Sequence, residues 1–358
     1  MRKIVFVLER LANGGAERVT VALANYFSAK EIYEVHILTC VQEEKEYILG
    51  SNVFRHSMVI KKSNRLGQIL GKIKFIKESI SEIGPTYVVS LATPKTSILL
   101  TLVSLVRNYR LILSERNDPN QYPRGKLLKA LRTMAYMICD GIVFQTKDAK
   151  NYFNTFIQKK SVVIPNPVSE SLPERYIGER EKKIVNFCRL EPQKNLPMLI
   201  HAYSLLNEKC SDYTLELFGE GPQKEELMNL VKNLNLEGRV VFKGYSANIY
   251  ALIRNAALFV SSSNYEGISN SMIEAIAMGI PSICTDCPIG GAKMIIDDRV
   301  NGILVPVDNL ERLSMAMYEV LSNRSLADKL SINGAELRKR LHIEIIAKEW
   351  QRFIEEGR

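Results

Sequence analysis

Ser261–Gly279 reads SSSNYEGISNSMIEAIAMG. The stretch predicts a strand end, a tight polar loop at Glu266-Gly267-Ile268-Ser269-Asn270, and a helix on the apolar-periodic run Met272, Ile273, Ala275 and Ile276. Ser271 and Glu274 stand three apart just before that run, a capping-box spacing that sets Glu274 in the first turn. Gly279 followed by Pro281 is a stop signal. The helix is therefore short, and its N-terminus offers unpaired N–H groups and partial positive charge, a seat suited to phosphate. Glu266 precedes the helix and Glu274 lies within it, so the two cannot share one helix face. They flank the anion seat, each able to accept hydrogen bonds from hydroxyl-rich groups such as ribose and a sugar ring. The local pattern alone also allows a plain capping residue and a solvated loop charge.

With 358 residues the chain is too long for one ordinary core, and two domains are the expectation. Its 46% hydrophobic and 24% charged residues are those of a soluble globular protein. No apolar run reaches the roughly 18 residues of a membrane span, and Thr96–Val106 reads as a buried helix. The N-terminal MRKIVFVLER reads as a first strand and not as a signal peptide. Six cysteines are scattered, and only Cys284 and Cys287 form a C-x-x-C, with no second pair or nearby histidine to complete a zinc set. Reduced thiols and a cytoplasmic setting are expected.

Charge is unevenly placed. Residues 1–180 carry 27 Lys/Arg against 16 Asp/Glu, whereas residues 181–358 carry 21 against 23. Between Tyr47 and Lys77 lie Arg55, Lys61, Lys62, Arg65, Lys72, Lys74 and Lys77 with no acid. A second basic set, Arg107, Arg110, Arg116, Arg124, Lys126, Lys129 and Arg132, surrounds a possible amphipathic helix. One-sided basicity suggests an anionic partner, either a membrane surface, a phospholipid-linked substrate or nucleic acid; a solvated basic face stays open beside it. No aromatic-basic stacking set or recognition motif supports nucleic acid.

Strand and helix alternate along both halves. Lys3–Leu8 is an apolar run, as a buried parallel strand requires, and Asn13-Gly14-Gly15-Ala16-Glu17-Arg18 then opens a helix. Its glycines let backbone amides approach a phosphate, but G-x-G-x-x-G is absent, as is an acid ending the second strand, so a nicotinamide fingerprint is missing. Further strands are expected at Glu34–Cys40, Tyr87–Leu91, Arg110–Ser114, Gly141–Gln145 and Ser161–Ile164. Pro165-Asn166-Pro167 reads as the domain boundary, giving domains 1–167 and 168–342. The pattern restarts at Ile184–Arg189 and continues through Leu215–Phe218, Val240–Lys243, Leu258–Ser261, Pro281–Cys284 and Gly302–Pro306. Such alternation argues two doubly wound parallel α/β sheets, with ligands at the carboxyl ends of the strands in a cleft between the halves.

The order and spacing of several short motifs resemble family 4 of the glycosyltransferases over nearly the whole chain. They are Gly14-Gly15-Ala16-Glu17-Arg18, Arg189-Leu190 with Lys194-Asn195, Gly219-Glu220-Gly221-Pro222, E-x7-E as Glu266 and Glu274, Gly290-Gly291, and Asn301-Gly302-Ile303-Leu304-Val305. The resemblance implies the GT-B fold, two facing Rossmann-like domains, with a last helix (about 343–358) crossing back to an acceptor-binding N-terminal domain. It makes Arg189 and Lys194 the cations on the donor diphosphate, Glu274 the ribose ligand and Glu266 the contact to donor-sugar hydroxyls. Backbone amides at Asn270, Ser271, Gly14 and Gly15 would face the diphosphate, and the loops at Gly219–Gly221 and Gly244–Tyr245 would border the base. Some relatives place a histidine where this chain has Ser114-Glu115-Arg116-Asn117. Glu115, Arg116 or Asn117 then stand on the acceptor side, with a loop salt bridge as the alternative.

The implied activity is retaining transfer of a hexose or N-acetylhexosamine from a UDP-sugar to a lipid-linked saccharide, in surface polysaccharide or glycan biosynthesis. No metal or other cofactor is expected, because no D-x-D set is present and fixed cations can take the charge of the leaving group. The basic first domain would hold the enzyme at the inner face of the cytoplasmic membrane. The alternatives are a nucleotide-sugar 2-epimerase of the same fold and, more remotely, a basic nucleic-acid-binding protein.

Overall fold

Ile4, Val5, Phe6 and Val7 are all fully buried. A run without alternation is explained when both faces of a parallel strand are covered. In the computed structural model, which describes residues 1–12, 14–58, 64–207 and 210–357, this strand is the centre of the first of two compact units. Unit 1 is Met1–Pro167 with Ile343–Arg358, and unit 2 is Val168–His342.

Unit 1 is a seven-stranded sheet of β1 (Lys3–Leu8), β2 (Glu34–Thr39), β3 (Val53–Ser57), β4 (Tyr87–Ser90), β5 (Arg110–Glu115), β6 (Gly141–Phe144) and β7 (Ser161–Val163), in the order β3-β2-β1-β4-β5-β6-β7. Its neighbouring strands all pair in parallel. Unit 2 has β8 (Glu181–Phe187), β9 (Thr214–Phe218), β10 (Val240–Gly244), β11 (Ala256–Ser261), β12 (Ser282–Thr285) and β13 (Ile303–Val305), in the order β10-β9-β8-β11-β12-β13. These strands are also parallel throughout. In each sheet the strand order reverses once, between β1 and β4 and between β8 and β11. Loops leaving the carboxyl ends at such a point are where open α/β sheets bind ligands.

The last helix, Ile343–Glu356, belongs to unit 1 and packs on the helix Gly15–Ala29. Trp350 and Phe353 are buried, and Phe353 lies so close to Gly141 that a Cβ there would come within 3.0 Å of its ring. Tyr33 donates to Glu355 at 2.8 Å, and Arg2 donates to the same carboxylate at 2.5 Å.

Several sequence expectations are corrected. The helix expected at Thr96–Val106 runs Pro94–Val103, because the backbone N–H and hydroxyl of Ser104 bond back to the Leu100 carbonyl and close its last turn. Edge strand β3 escaped notice because only Val53 is buried in it and no alternation marks it. The helix Arg324–Ala335, capped by the Asn323 side chain, was also missed.

The basic sets are less exposed than their sequence suggests. Arg55 pairs with Glu46 at 2.8 Å, Lys72 with Glu9 at 2.5 Å and Arg107 with Asp140 at 2.9 Å. Arg132 is fully buried. Lys61 and Lys62 lie outside the described residues, as do Asn13 and the side chain of Arg65. Among the described residues no helix is long and apolar enough to cross a membrane.

Arg132 organises the loop after β5. It sits 3.3 Å from the Glu115 carboxylate and donates to the carbonyls of Pro119 and Tyr122. Tyr136 donates to the same carboxylate at 3.2 Å. Burial raises the Glu115 pKa to about 7 against the pull of Arg132 and Tyr136. Above the unfolded pKa near 4.5 the unfolded chain ionises first, so the folded state binds the extra proton. The contribution of Glu115 to stability is therefore present below about pH 4.5 and lost as pH rises through about 7. Glu115→Gln is expected to flatten that fall, on the order of 3 kcal/mol. Denaturant unfolding at pH 5 and pH 7.5 checks it; equal slopes in both proteins refute it.

Candidate active site

Two loops of unit 2 leave neighbouring strands at the point where the strand order reverses. The loop after β8 carries Arg189 to Asn195, and the loop after β11 carries Ser262 to Ser269. Polar bonds hold the two together. Ser262 Oγ donates to the carbonyls of Lys194 (2.9 Å) and Asn195 (3.0 Å), and the Asn264 amide donates to the Gln193 carbonyl at 2.9 Å. Gln193 Nε2 donates to the Tyr265 carbonyl at 2.9 Å, and Asn195 Nδ2 donates to Asn264 Oδ1 at 2.7 Å. Asn195 takes a left-handed φ of 45° at the end of the short 3-10 turn Pro192–Lys194. That backbone tolerates asparagine better than most side chains.

The result is an ion pair. Lys194 Nζ lies 2.5 Å from Glu266 Oε2, with the two side chains 12% and 19% exposed, and Ser263 Oγ donates to the same carboxylate oxygen at 3.3 Å. Burial disfavours the Lys194 charge, but Glu266 outweighs it and raises the pKa. Lys194 is therefore a fixed cation at neutral pH. Arg189 is not gathered into this pair. Its side chain is exposed and meets Glu191 at 2.9 Å.

The helix expected after the loop is Asn270–Ala277, which starts two residues before the anticipated point. Its cap is Ser269, with extended backbone, and not Ser271; the two hydroxyls contact each other at 3.0 Å. The capping box is therefore not formed, and Glu274 falls beyond the first turn, which holds no acid. The Ser269 side chain accepts none of the first-turn N–H groups. Asn270 and Ser271 are the first two residues of this helix, and Glu274 is buried on it among Ile273, Ala275 and Ile276. Gly279, at φ 68°, follows the C-cap Met278 and ends the helix as the stop signal implied. A small recess at the N-terminus is lined by Ser263, Glu266, Gly267, Ser269 and Cys287.

Glycines set the spacing of these parts. A Cβ on Gly291 would fall 1.7 Å from the Gly267 carbonyl oxygen, so the Gly290-Gly291 turn lies directly against the Glu266 loop. A Cβ on Gly219 would fall 1.8 Å from the Cys188 oxygen, and one on Gly221 would fall 2.4 Å from that of Leu190. These last two therefore pack the loop after β9 on the backbone leading to Arg189, a reason the motif alone did not give. Cys284 and Cys287 are both buried thiols, and burial pushes Cys287 up to about 12.

The other expected residues lie in unit 1. Gly14 is the extended cap of the helix Gly15–Ala29, and Tyr47 donates to its carbonyl at 3.2 Å. Glu115 turns inward to Arg132 and Tyr136, which is the loop salt bridge rather than an outward-facing acid. Asn117 Oδ1 accepts from the Asp118 amide, and Arg116 reaches Asn166. Sequence reasoning missed Gln145, Asn166 and the Asn195–Asn264 staple, because each depends on which loops the sheet order makes neighbours.

Comparison with known proteins agrees with this layout. Residues 13–172 match the model of Glycosyltransferase Family 4, and residues 169–337 match that of Glycosyl transferases group 1. The chain belongs to glycosyltransferase family 4. It is 28% identical over 366 residues, 99% of each chain, to an alpha-1,4-N-acetyl-D-galactosaminyltransferase of Campylobacter jejuni. The name of that relative gives its acceptor as GalNAc-alpha-(1->4)-GalNAc-alpha-(1->3)-diNAcBac-PP-undecaprenol. The glycosyltransferase is also 23% identical over 360 residues, 98% of this chain and 99% of the relative, to the amylovoran biosynthesis glycosyltransferase AmsD of Erwinia amylovora. Its fold is that of HepE from Anabaena, solved with UDP and glucose, at TM-score 0.84 and 17% identity over 99% of each chain. The S. aureus TarM structure, which contains UDP, matches at TM-score 0.82 and 15% identity over 99% of this chain and 100% of that one. The GT-B architecture of two parallel-sheet α/β domains follows.

Proposed function

We propose that this glycosyltransferase moves a hexose or N-acetylhexosamine from a UDP-sugar to a lipid-linked saccharide, with retention at the anomeric carbon and without a metal. The observation that carries the reading is the Lys194–Glu266 pair, held by two stapled loops beside the N-terminus of the helix Asn270–Ala277. Breaking a sugar–diphosphate bond builds negative charge on the leaving group. One fixed cation at about 4 Å lowers that cost by on the order of 4 kcal/mol at an effective dielectric near 20. Lys194 and the first-turn amides serve this role, and Arg189 joins them by leaving the exposed pair with Glu191. Glu266 accepts from hydroxyls of the donor sugar, and Glu274 accepts from the ribose. The departing phosphate takes the proton of the acceptor hydroxyl as the new bond forms on the same face.

The lipid-linked acceptor is supported by the diphospho-undecaprenol substrates that two Campylobacter relatives carry in their names. A lipid surface also fits unit 1. Its adjacent helices Arg65–Ile83, Pro94–Val103 and Lys126–Ile138 expose Leu70, Leu102 and Leu127 beside the exposed cations Lys77, Lys95 and Lys126. Apolar side chains set among cations are what an anionic interface binds. On this reading the enzyme works peripherally at the inner face of the cytoplasmic membrane.

Thermal-shift measurement against a panel of nucleotide sugars tests the donor. A UDP-sugar at a hundred times its Kd should stabilise by about 2.7 kcal/mol, and the best of the panel names the sugar. Stabilisation by no nucleotide sugar would refute the reading, and consumption of UDP-N-acetylhexosamine without acceptor would replace it by epimerisation. Co-sedimentation with vesicles containing phosphatidylglycerol should exceed that with phosphatidylcholine alone; equal binding refutes the membrane assignment.

A further inference from the structure

The loops after three adjacent strands of unit 1 converge on one set of polar side chains. Arg116 follows β5, Gln145 follows β6, and Asn166 lies beyond β7. The Asn166 side-chain oxygen accepts from Arg116 Nη2 and, at 2.8 Å, from Gln145 Nε2. The stem of Arg116 is partly exposed, but its Nε and Nη1 are shielded from solvent and, among the described residues, have no hydrogen-bond partner. Among the described residues no carboxylate pairs with it, since neighbouring Glu115 is committed to Arg132 and Tyr136. Burial lowers the Arg116 pKa to about 9 with nothing opposing it, so the side chain is a cation at neutral pH.

A shielded guanidinium without a counter-charge destabilises its fold. A polar cluster at the carboxyl ends of parallel strands is also where ligands of such sheets bind. Guanidinium donors suit phosphate oxygens in particular. We propose that Arg116, steered by Asn166 and backed by Gln145, is an anion seat for the diphosphate of a substrate. The inference rests on the glycosyl-transfer reading for the identity of that diphosphate, which reaches the seat from either the nucleotide donor or a lipid-diphosphate acceptor.

Calorimetric titration of the full chain and of Arg116→Gln with UDP, with geranyl diphosphate and with geraniol separates these sources. A loss of about tenfold or more in UDP affinity assigns the seat to the donor. A similar loss for geranyl diphosphate, with UDP unchanged, assigns it to the acceptor. Equal affinity of both proteins for both diphosphates overturns the proposal. So does a loss of affinity for geraniol as large as that for geranyl diphosphate. The ligand-free Arg116→Gln protein should melt at the same temperature as the parent or higher, because an uncompensated charge has been removed; a lower melting temperature would make Arg116 a structural residue and also overturn it. Because these are binding measurements, absence of UDP binding in both proteins with Arg116-dependent geranyl diphosphate binding would retire the donor reading and leave the seat in place.

Discussion

Lys194→Ala is expected to lower turnover of a UDP-sugar by on the order of a thousandfold, the effect of removing a preorganised charge from a developing anion. The ammonium is held in place by loop bonds that do not involve its own side chain, from Ser262 to the Lys194 and Asn195 carbonyls and from Asn264 to Gln193. The loop therefore keeps its path in the variant. What changes is Glu266, left beside Ser263 without its cation. An uncompensated, partly shielded carboxylate costs stability as well, so the kinetic loss must be separated from unfolding. Lys194→Ala combined with Glu266→Gln removes both charges and should restore the melting temperature while leaving turnover low. Glu274→Ala, in the same assay, should also abolish turnover. Near-parental rates in Lys194→Ala at saturating donor would remove this lysine from the chemistry.

Gly291→Ala is expected to be among the most damaging single methyl additions in unit 2. Its Cβ would sit 1.7 Å from the Gly267 carbonyl oxygen and 2.6 Å from the carbonyl carbon, both backbone atoms that no rotamer change can move aside. Relief requires the turn Cys287–Gly290 or the loop Glu266–Ser269 to shift by more than an ångström. A displacement of that size at a catalytic loop costs on the order of a hundredfold in rate, with a stability loss of about 1–3 kcal/mol from overpacking. Gly238→Ala is the matched control, since its φ of 76° strains any side chain but no atom lies within 4 Å of the added carbon. Similar melting temperature and activity in the two variants would show that the Gly291 contact is not structurally limiting.

The strands of both sheets other than edge strand β3 were legible because buried parallel strands read as apolar runs, and the glycine and asparagine signals between them marked the turns. The E-x7-E pattern located Glu266 and Glu274 on opposite sides of a helix start. It could not locate that start, because Ser269 and Ser271 are chemically alike and the choice depends on the extended backbone at Ser269. The Lys194–Glu266 pair joins residues 72 positions apart. It exists because β8 and β11 are neighbours, a fact about strand order that no local spacing encodes. Glu115 and Arg116 show the limit most sharply. Consecutive residues at a strand end point to different faces, so one is committed to Arg132 inside and the other reaches Asn166 at the sheet edge. Their identities were readable, but which faced inward was not.

The helix Ile343–Glu356 has a consequence for biosynthesis. Its buried Trp350, Phe353 and Ile354 complete the packing of unit 1, yet they leave the ribosome after the whole of unit 2. Unit 2, encoded wholly between the two parts of unit 1, has its entire chain available earlier. The nascent first sheet therefore waits, with the ring of Tyr33 and the start of β6 uncovered, until the helix Ile343–Glu356 has been made. Stops after His342 should yield a folded second sheet tethered to an aggregation-prone first one.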